Sequence, residues 1–285
     1  MPSALFRSGL LDGQVALVTG GGSGLGRATA LELAACGVRV VVCGRRSQPL
    51  EETASLSDGG RCLPLVCDVR HEEEVVGCVD RVLEEEGRID LLVNNAGGQF
   101  LAPAEAITAK GFRTVLRLNV DGTWLMTHAV ATRAMIPSGA GGKIVNVTLS
   151  PHNGLPGMAH SSAARAAVEN LTRVLSIEWA RFGIRINAIA AGQFATETFM
   201  TKYPRQMVEA AAETVPLGRL GRPEEIAWHI AHLASPAGDY VTGAVLTIDG
   251  GRDNWHGRWP SAADADANGN PLMEARAARS TPPDG

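Results

Sequence analysis

No apolar run in the 285 residues approaches the roughly 20 that a bilayer span needs, so no transmembrane helix is expected. Excess positive charge is also missing. Lys and Arg number 26 against 30 Asp and Glu, a formal net charge of −4, and the cations are dispersed rather than striped along one face. Long-range attraction to a phosphate backbone is therefore absent, which argues against nucleic acid as a partner. The five cysteines, Cys36, Cys43, Cys62, Cys67 and Cys78, are odd in number and have no C-x-x-C spacing. That argues against a disulfide framework and a zinc site, and they are expected to be buried reduced thiols. His229 and His232 share a helical spacing but lack a third ligand at a matching offset, so no metal is expected. Met1 to Leu11 carries one Arg and no apolar stretch ending in a small-residue cleavage site. No secretory signal is expected, and a cytoplasmic location is. Tyrosine is the scarcest residue type of consequence, with only Tyr203 and Tyr240.

What is present is a chain 45% hydrophobic and 20% charged, of a length that suits one large core. Short β-branched runs alternate with longer helical patterns. Strands are expected at 15–18, 38–42, 62–66, 91–93, 144–147, 184–186 and 245–248, with helices at 25–36, 72–86, 111–135, 161–182 and 223–233. This alternation predicts an α/β fold, a doubly wound (Rossmann) parallel seven-stranded sheet with helices on both faces. It occupies residues 1–252 as a single domain. A C-terminal extension, 253–285, follows, in which Trp255 and Trp259 are expected to pack on the body or a neighbouring subunit before a loosely ordered end.

The first strand runs into Thr19-Gly-Gly-Gly-Ser-Gly-Leu-Gly26 and directly into a helix. Glycines at 20, 24 and 26, with Ser23 and Leu25 between them, let the backbone turn sharply and approach a pyrophosphate at the helix N-terminus. The end of the second strand normally presents an acid to the ribose of NAD. Here it reads Cys43-Gly-Arg45-Arg46. Without a carboxylate, and with two guanidiniums able to grip a 2′-phosphate, NADP is expected as the cofactor. The competing reading is that an Arg merely starts a solvent-facing helix.

These glycines, with Cys67-Asp68-Val69, Asn94-Asn-Ala96-Gly97, Asn119 and Asp249-Gly-Gly251, resemble the short-chain dehydrogenase/reductase family across residues 12–252. The resemblance implies that Asp68 and Val69 border the adenine and that Asn94, Ala96 and Gly97 line the cofactor trough. It implies that Asn119 is a structural and proton-relay residue and that the chain forms a homotetramer. Gly192 to Val215 would be the substrate-covering loop, with Thr196 near the nicotinamide carboxamide. The family's Ser and Tyr-x-x-x-Lys correspond to Thr148, Ser161 and Arg165. The tyrosine is absent from that helix.

Alcohol oxidation and ketone reduction need a proton-exchanging group of tuned pKa, and Tyr supplies it from a starting value of about 10. A serine hydroxyl cannot be pulled that far, but it can donate to an oxygen that gains charge, as the thioester oxygen does when hydride reaches the β-carbon of a conjugated thioester. Arg165, four residues after Ser161, would hold the nicotinamide ribose and add positive potential. The expected activity is thus NADPH-dependent reduction of the C=C of an enoyl-CoA or dienoyl-CoA, with an acyl-CoA as the small-molecule partner. Asn95 to Pro103 and His160 to Arg165 resemble the enoyl-CoA and dienoyl-CoA reductase branch of the family. His160, His152, Tyr203 and a water relayed through Asn119 are all candidate proton donors. Two alternatives stand beside this: a carbonyl reductase or alcohol dehydrogenase with an atypical proton relay, and a catalytically silent nucleotide-binding protein. No peroxisomal address of the Ser-Lys-Leu type is expected.

Overall fold

The computed structural model describes residues 2–57, 61–150, 152–203 and 205–254. Trp255 and Trp259 lie outside the described residues. Seven strands, β1 (Val15–Thr19), β2 (Arg39–Gly44), β3 (Cys62–Val66), β4 (Leu91–Asn94), β5 (Gly142–Leu149), β6 (Ile184–Ala191) and β7 (Val245–Ile248), form one parallel sheet in the order β3-β2-β1-β4-β5-β6-β7. Every residue of β1 is buried, as expected of a central strand covered on both faces. Leu17 pairs with Val41 on one side and Leu92 on the other.

The helices are α1 (Gly24–Ala35), α2 (Ser47–Leu56), α3 (Glu72–Glu86), α4 (Ala109–Leu116), α5 (Gly122–Val130), α6 (Ile136–Ser138), α7 (Ala159–Glu178), α8 (Glu197–Lys202), α9 (Arg205–Glu213) and α10 (Pro223–Ala234). One face of the sheet buries Leu33 of α1 with Ile226 and Ile230 of α10. The other buries Val75 and Val79 of α3, Met126 of α5 and Leu175 of α7. The strand order reverses direction between β1 and β4, which opens a crevice at their carboxyl ends.

Three departures from the expected elements have local causes. β6 runs on from Ile186 to Ala191 because Ala188, Ala190 and Ala191 stay paired between β5 and β7; alanine carries little β-propensity to announce it. α2 was hidden by Pro49, which its first turn tolerates because the amide lost there has no helical partner. The helix expected at 111–135 is interrupted by π-turns at Arg117–Asp121 and Ala131–Met135, the first of which carries Asn119.

Candidate active site

The glycine loop joins β1 to α1. Gly20 (φ 65°) and Gly24 (φ 53°) take the left-handed conformation, and a Cβ on Gly26 would sit 2.3 Å from the Gly20 carbonyl oxygen. Ser23 caps α1 in extended backbone without spending its hydroxyl on the helix, so hydroxyl and first-turn amides remain available to an anion. The loop is pinned across the crevice. The Thr19 hydroxyl accepts the amides of Asn95 (3.0 Å) and Ala96 (2.9 Å), while Asn95 Nδ2 donates to the Thr19 carbonyl at 3.0 Å.

Beside the loop is a polar cavity of about 250 Å³, lined by Gly20, Ser23, Arg45, Arg46, Asp68, Val69, Ala96 and Gly97 among others. Arg45 and Arg46 are exposed, and neither forms an ion pair among the described residues. Arg46 also occupies the N-cap of α2, so starting a helix and facing the cavity are compatible. The Arg70 guanidinium grips Asp68 at 2.5–3.1 Å and, with a smaller contribution from Arg45, holds its carboxyl down to about 2. Asn94 turns its side chain away from this lining. Its Nδ2 donates to Thr127 and Asn146, both at 2.8 Å, in a buried network that continues to Thr172. Asn95, which the sequence reading passed over, faces the cavity instead.

Gly97, Asn119 and Arg165 come together. A Cβ at Gly97 would fall 2.5 Å from Arg165 Nη2 and 2.8 Å from Asn119 Oδ1. Asn119 is fully buried: its Nδ2 donates to the carbonyls of Gly98 and Val115, its Oδ1 accepts the Gly98 amide, and its carbonyl accepts Thr123 Oγ1. Arg165 Nη1 donates to the Val147 carbonyl at 2.8 Å, and desolvation pulls the guanidinium down to about 10 against the opposing charge of Glu169. It stays a cation at neutral pH. Ser161, also fully buried, donates to Gln99 Oε1 at 2.6 Å.

Thr148 begins a chain of polar contacts leading away from this cluster. Its hydroxyl donates to Glu169 Oε1 at 2.8 Å, the same oxygen lies 3.1 Å from His152 Nε2, and His152 Nδ1 lies 2.5 Å from Asp253 Oδ2. Burial works to lower the His152 pKa, but Asp253 and Glu169 together outweigh it and raise the value above 6.5. Ser150 Oγ donates to Asp249, and a Cβ on Gly192 would meet Asp249 Cβ at 2.5 Å. Glu169 and Asp253 are the members that sequence reasoning did not assemble. Glu169 carries a faint signal, being a carboxylate on the face of α7 that also carries Ser161 and Arg165.

A second, largely apolar cavity of about 290 Å³ adjoins these groups, lined by Leu25, Gln99, Leu149, Ser150, Met158, Gly192, Phe194, Thr196, Phe199 and Tyr203 among others. Thr196 caps α8 by accepting the Phe199 amide, and its Cβ would lie 3.4 Å from a Cβ on Gly24. Tyr203 stands at this cavity with its ring 5.2 Å from that of Phe199, while Tyr240 is fully exposed. Neither tyrosine lies on α7. His160 is fully buried, accepts the Ser161 amide on Nδ1 and packs edge-on against Phe100.

Residues 20–253 match the family model described as enoyl-(acyl carrier protein) reductase. The chain is 39% identical over 254 residues to the peroxisomal 2,4-dienoyl-CoA reductase [(3E)-enoyl-CoA-producing] of Pongo abelii, covering 87% of this chain and 86% of that one. It is 36% identical over 256 residues to the probable 2,4-dienoyl-CoA reductase [(2E)-enoyl-CoA-producing] of Bacillus subtilis, covering 88% and 100%. Among solved structures, a citronellol catabolism dehydrogenase (AtuB) of Pseudomonas aeruginosa is 45% identical with a TM-score of 0.78, covering 87% of this chain and 98% of that one. A short chain dehydrogenase from Bacillus anthracis is 35% identical with a TM-score of 0.81, covering 88% and 100%. By the match over residues 20–253 and by these identities, the chain belongs to the short-chain dehydrogenase/reductase family.

Proposed function

We propose that this oxidoreductase is an NADPH-dependent reductase of the conjugated C=C of an enoyl-CoA or dienoyl-CoA thioester. The observation that carries the reading is the face of α7, where Ser161 and Arg165 stand in the place of a tyrosine and lysine, next to an apolar cavity. Names of the dienoyl-CoA reductase relatives support the substrate class. Arg45 and Arg46, with no acid at the end of β2, support NADP over NAD. The crevice residues fit the dinucleotide: Ser23 keeps a free hydroxyl, and the close approach of Gly26 to Gly20 leaves the backbone bare for a pyrophosphate.

Bound there, NADPH would supply the hydride. Gly20, Ser23, Gly24, Leu25 and Gly26 hold its pyrophosphate end, while Asp68, Val69, Ala96 and Gly97 flank the crevice. Asn94 supports this wall from behind. Thr196 and Gly192 approach from the covering segment. Ser161, whose hydroxyl donates to Gln99, would rotate it from Gln99 to the oxygen that gains negative charge, and the buried Arg165 cation adds potential of the right sign. Asn119 acts by position, since its polar atoms are already paired, and it holds the Gly97–Gly98 turn over Arg165.

A proton must then reach carbon. Of the candidates, His152 is the one held between two carboxylates, so its ring is the readiest to carry a second proton. That proton passes from His152 Nε2 to Glu169 Oε1 and on to Thr148. His160 packs edge-on against Phe100, and its Nε2 has no hydrogen-bond partner among the described residues through which a proton could be relayed. Assembly as a homotetramer belongs to the same proposal, supported by Val174 and Ile177, which are 42% and 78% exposed on α7.

Oxidation of an alcohol is a second reading, supported by the name of the 45% identical dehydrogenase. The lack of tyrosine on α7 weighs against it. The test is NADPH oxidation measured against crotonyl-CoA, longer enoyl- and dienoyl-CoA thioesters, and a panel of ketones. Turnover of thioesters is expected. Activity on ketones with none on thioesters would overturn the proposal.

A further inference from the structure

Cys43 at the end of β2, Cys67 just after β3 and Cys78 on the inner face of α3 bring three Sγ atoms within 4.8 Å of one another. They are 0%, 1% and 6% exposed. Val41, Val75 and Val79 belong to the same buried cluster, and among the described residues no His, Asp or Glu ligand atom joins the three sulfurs. β2, β3 and α3 thus converge on one all-thiol centre, which no C-x-x-C spacing would reveal. The Cys67 thiol donates to the Glu74 carbonyl at 3.6 Å, and the neighbouring Cys67 and Cys78, together with burial, push the Cys43 thiol well up.

The centre selects its occupant by coordination number and charge. Zinc in a structural site takes four ligands, and a divalent ion on three thiolates would leave a net negative charge in an apolar interior. A trivalent thiophilic ion with three ligands leaves none. A three-coordinate ion of this class carries a lone pair and is pyramidal, so bonds of about 2.3 Å at angles of about 100° place its sulfurs about 3.5 Å apart, and the three thiols, now within 4.8 Å, must draw together to hold it. We propose that Cys43, Cys67 and Cys78 form a three-coordinate site for a trivalent thiophilic ion of the arsenite class. With arsenious acid, As(OH)₃, three As–O bonds break and three As–S bonds form. Each thiol proton leaves on a hydroxide as water, three waters in all, and no electron is transferred.

The site reaches the cofactor crevice directly. The Cys43 carbonyl accepts the Gly20 amide at 2.7 Å, the Cys67 amide donates to Gly44 at 2.9 Å, and Cys67 lines the same cavity as Arg45 and Asp68. Occupancy would therefore tie β2, β3 and α3 together under the glycine loop and weaken dinucleotide binding.

The experiment adds arsenite to the full-length reduced protein and reads native mass spectrometry and arsenic-edge X-ray absorption. One arsenic per chain with loss of three hydrogens, and three sulfur neighbours, is expected. Binding should be lost in Cys78→Ser and in Cys67→Ala and kept in a Cys36→Ser, Cys62→Ser double variant. Fewer than three sulfur neighbours, binding that survives Cys78→Ser, or loss in the double variant would overturn the proposal, as would tighter binding of zinc than of arsenite. Should a cluster variant fail to fold, alkylation mapping of the unaltered chain decides: arsenite must protect Cys43, Cys67 and Cys78 and leave Cys36 and Cys62 unprotected.

Discussion

Thr148 donates its hydroxyl to Glu169 at 2.8 Å, and the same carboxylate oxygen meets His152 at 3.1 Å. A hydroxyl committed to a buried carboxylate is a poor donor to substrate until that carboxylate is protonated. On the proposed route, proton supply would therefore run through His152, whose other ring nitrogen rests on Asp253.

The rate should therefore depend on pH through His152. Its folded pKa lies above the 6.5 of a free imidazole, so the charged ring prevails at and below that pH and is lost as pH rises through the folded value. The stability contributed by the ion pairs is likewise full below about pH 6.5 and fades over the same alkaline range. We expect kcat to fall along this limb and the limb to vanish in His152→Gln and Glu169→Gln, with kcat lowered by about 10²–10⁴-fold, typical of a lost general acid. A pH profile of kcat at saturating NADPH checks this. An unchanged alkaline limb in both variants would rule the chain of contacts out as a proton route.

On the proposed mechanism Ser161→Ala removes a donor that would leave Gln99 for the developing oxyanion. A loss of about 10²–10³ in kcat is expected, with NADPH affinity unaltered, because such donors act on the transition state. Stopped-flow hydride transfer and direct titration of NADPH separate the two effects. Equal loss in binding and rate would make Ser161 a structural residue that ties α7 to Gln99; it does not cap the helix, whose N-cap is Met158.

The arginine pair is tested by cofactor choice. Each charge-assisted hydrogen bond to a phosphate contributes about 1.5–3 kcal/mol, so Arg45→Ala with Arg46→Ala should weaken NADPH binding by at least about tenfold and leave NADH binding nearly unchanged. Titration with the two reduced cofactors reads this out. Parallel weakening of both would show that the guanidiniums shape α2 rather than grip a 2′-phosphate.

The sheet was legible in the sequence because parallel strands buried on both faces read as continuous β-branched runs, such as Val40-Val-Val42. So was the glycine loop, since only glycine meets the backbone demands of positions 20, 24 and 26. The far end of β6 was not legible, because Ala188 to Ala191 gains its strand character from neighbours on both sides. Polar contacts joining residues distant in sequence leave no periodic trace either. The Glu169–His152–Asp253 contacts and the meeting of Cys43, Cys67 and Cys78 arise when loops and helices converge at the carboxyl ends of the strands. Asn94 and Asn95 illustrate the limit: adjacent strand-end residues point to opposite sides, and a motif names both without saying which faces the crevice.

Two glycines separate packing that serves the site from packing that serves only the helix. Gly77, exposed in the middle of α3, has open space where a Cβ would go, and alanine there should stabilise the protein by about 0.5–1 kcal/mol through the lower entropy of the unfolded chain. Gly97 has no such room. Its Cβ would overlap Arg165 Nη2 and crowd Asn119 Oδ1, so Gly97→Ala must displace the cation or open the Asn119 turn. Thermal denaturation should show a raised Tm for Gly77→Ala with full activity, while Gly97→Ala should lose activity and NADPH affinity together. If Gly97→Ala kept both, Arg165 would be free to move at no cost, and its buried position against the Val147 carbonyl would have no part in organising the site.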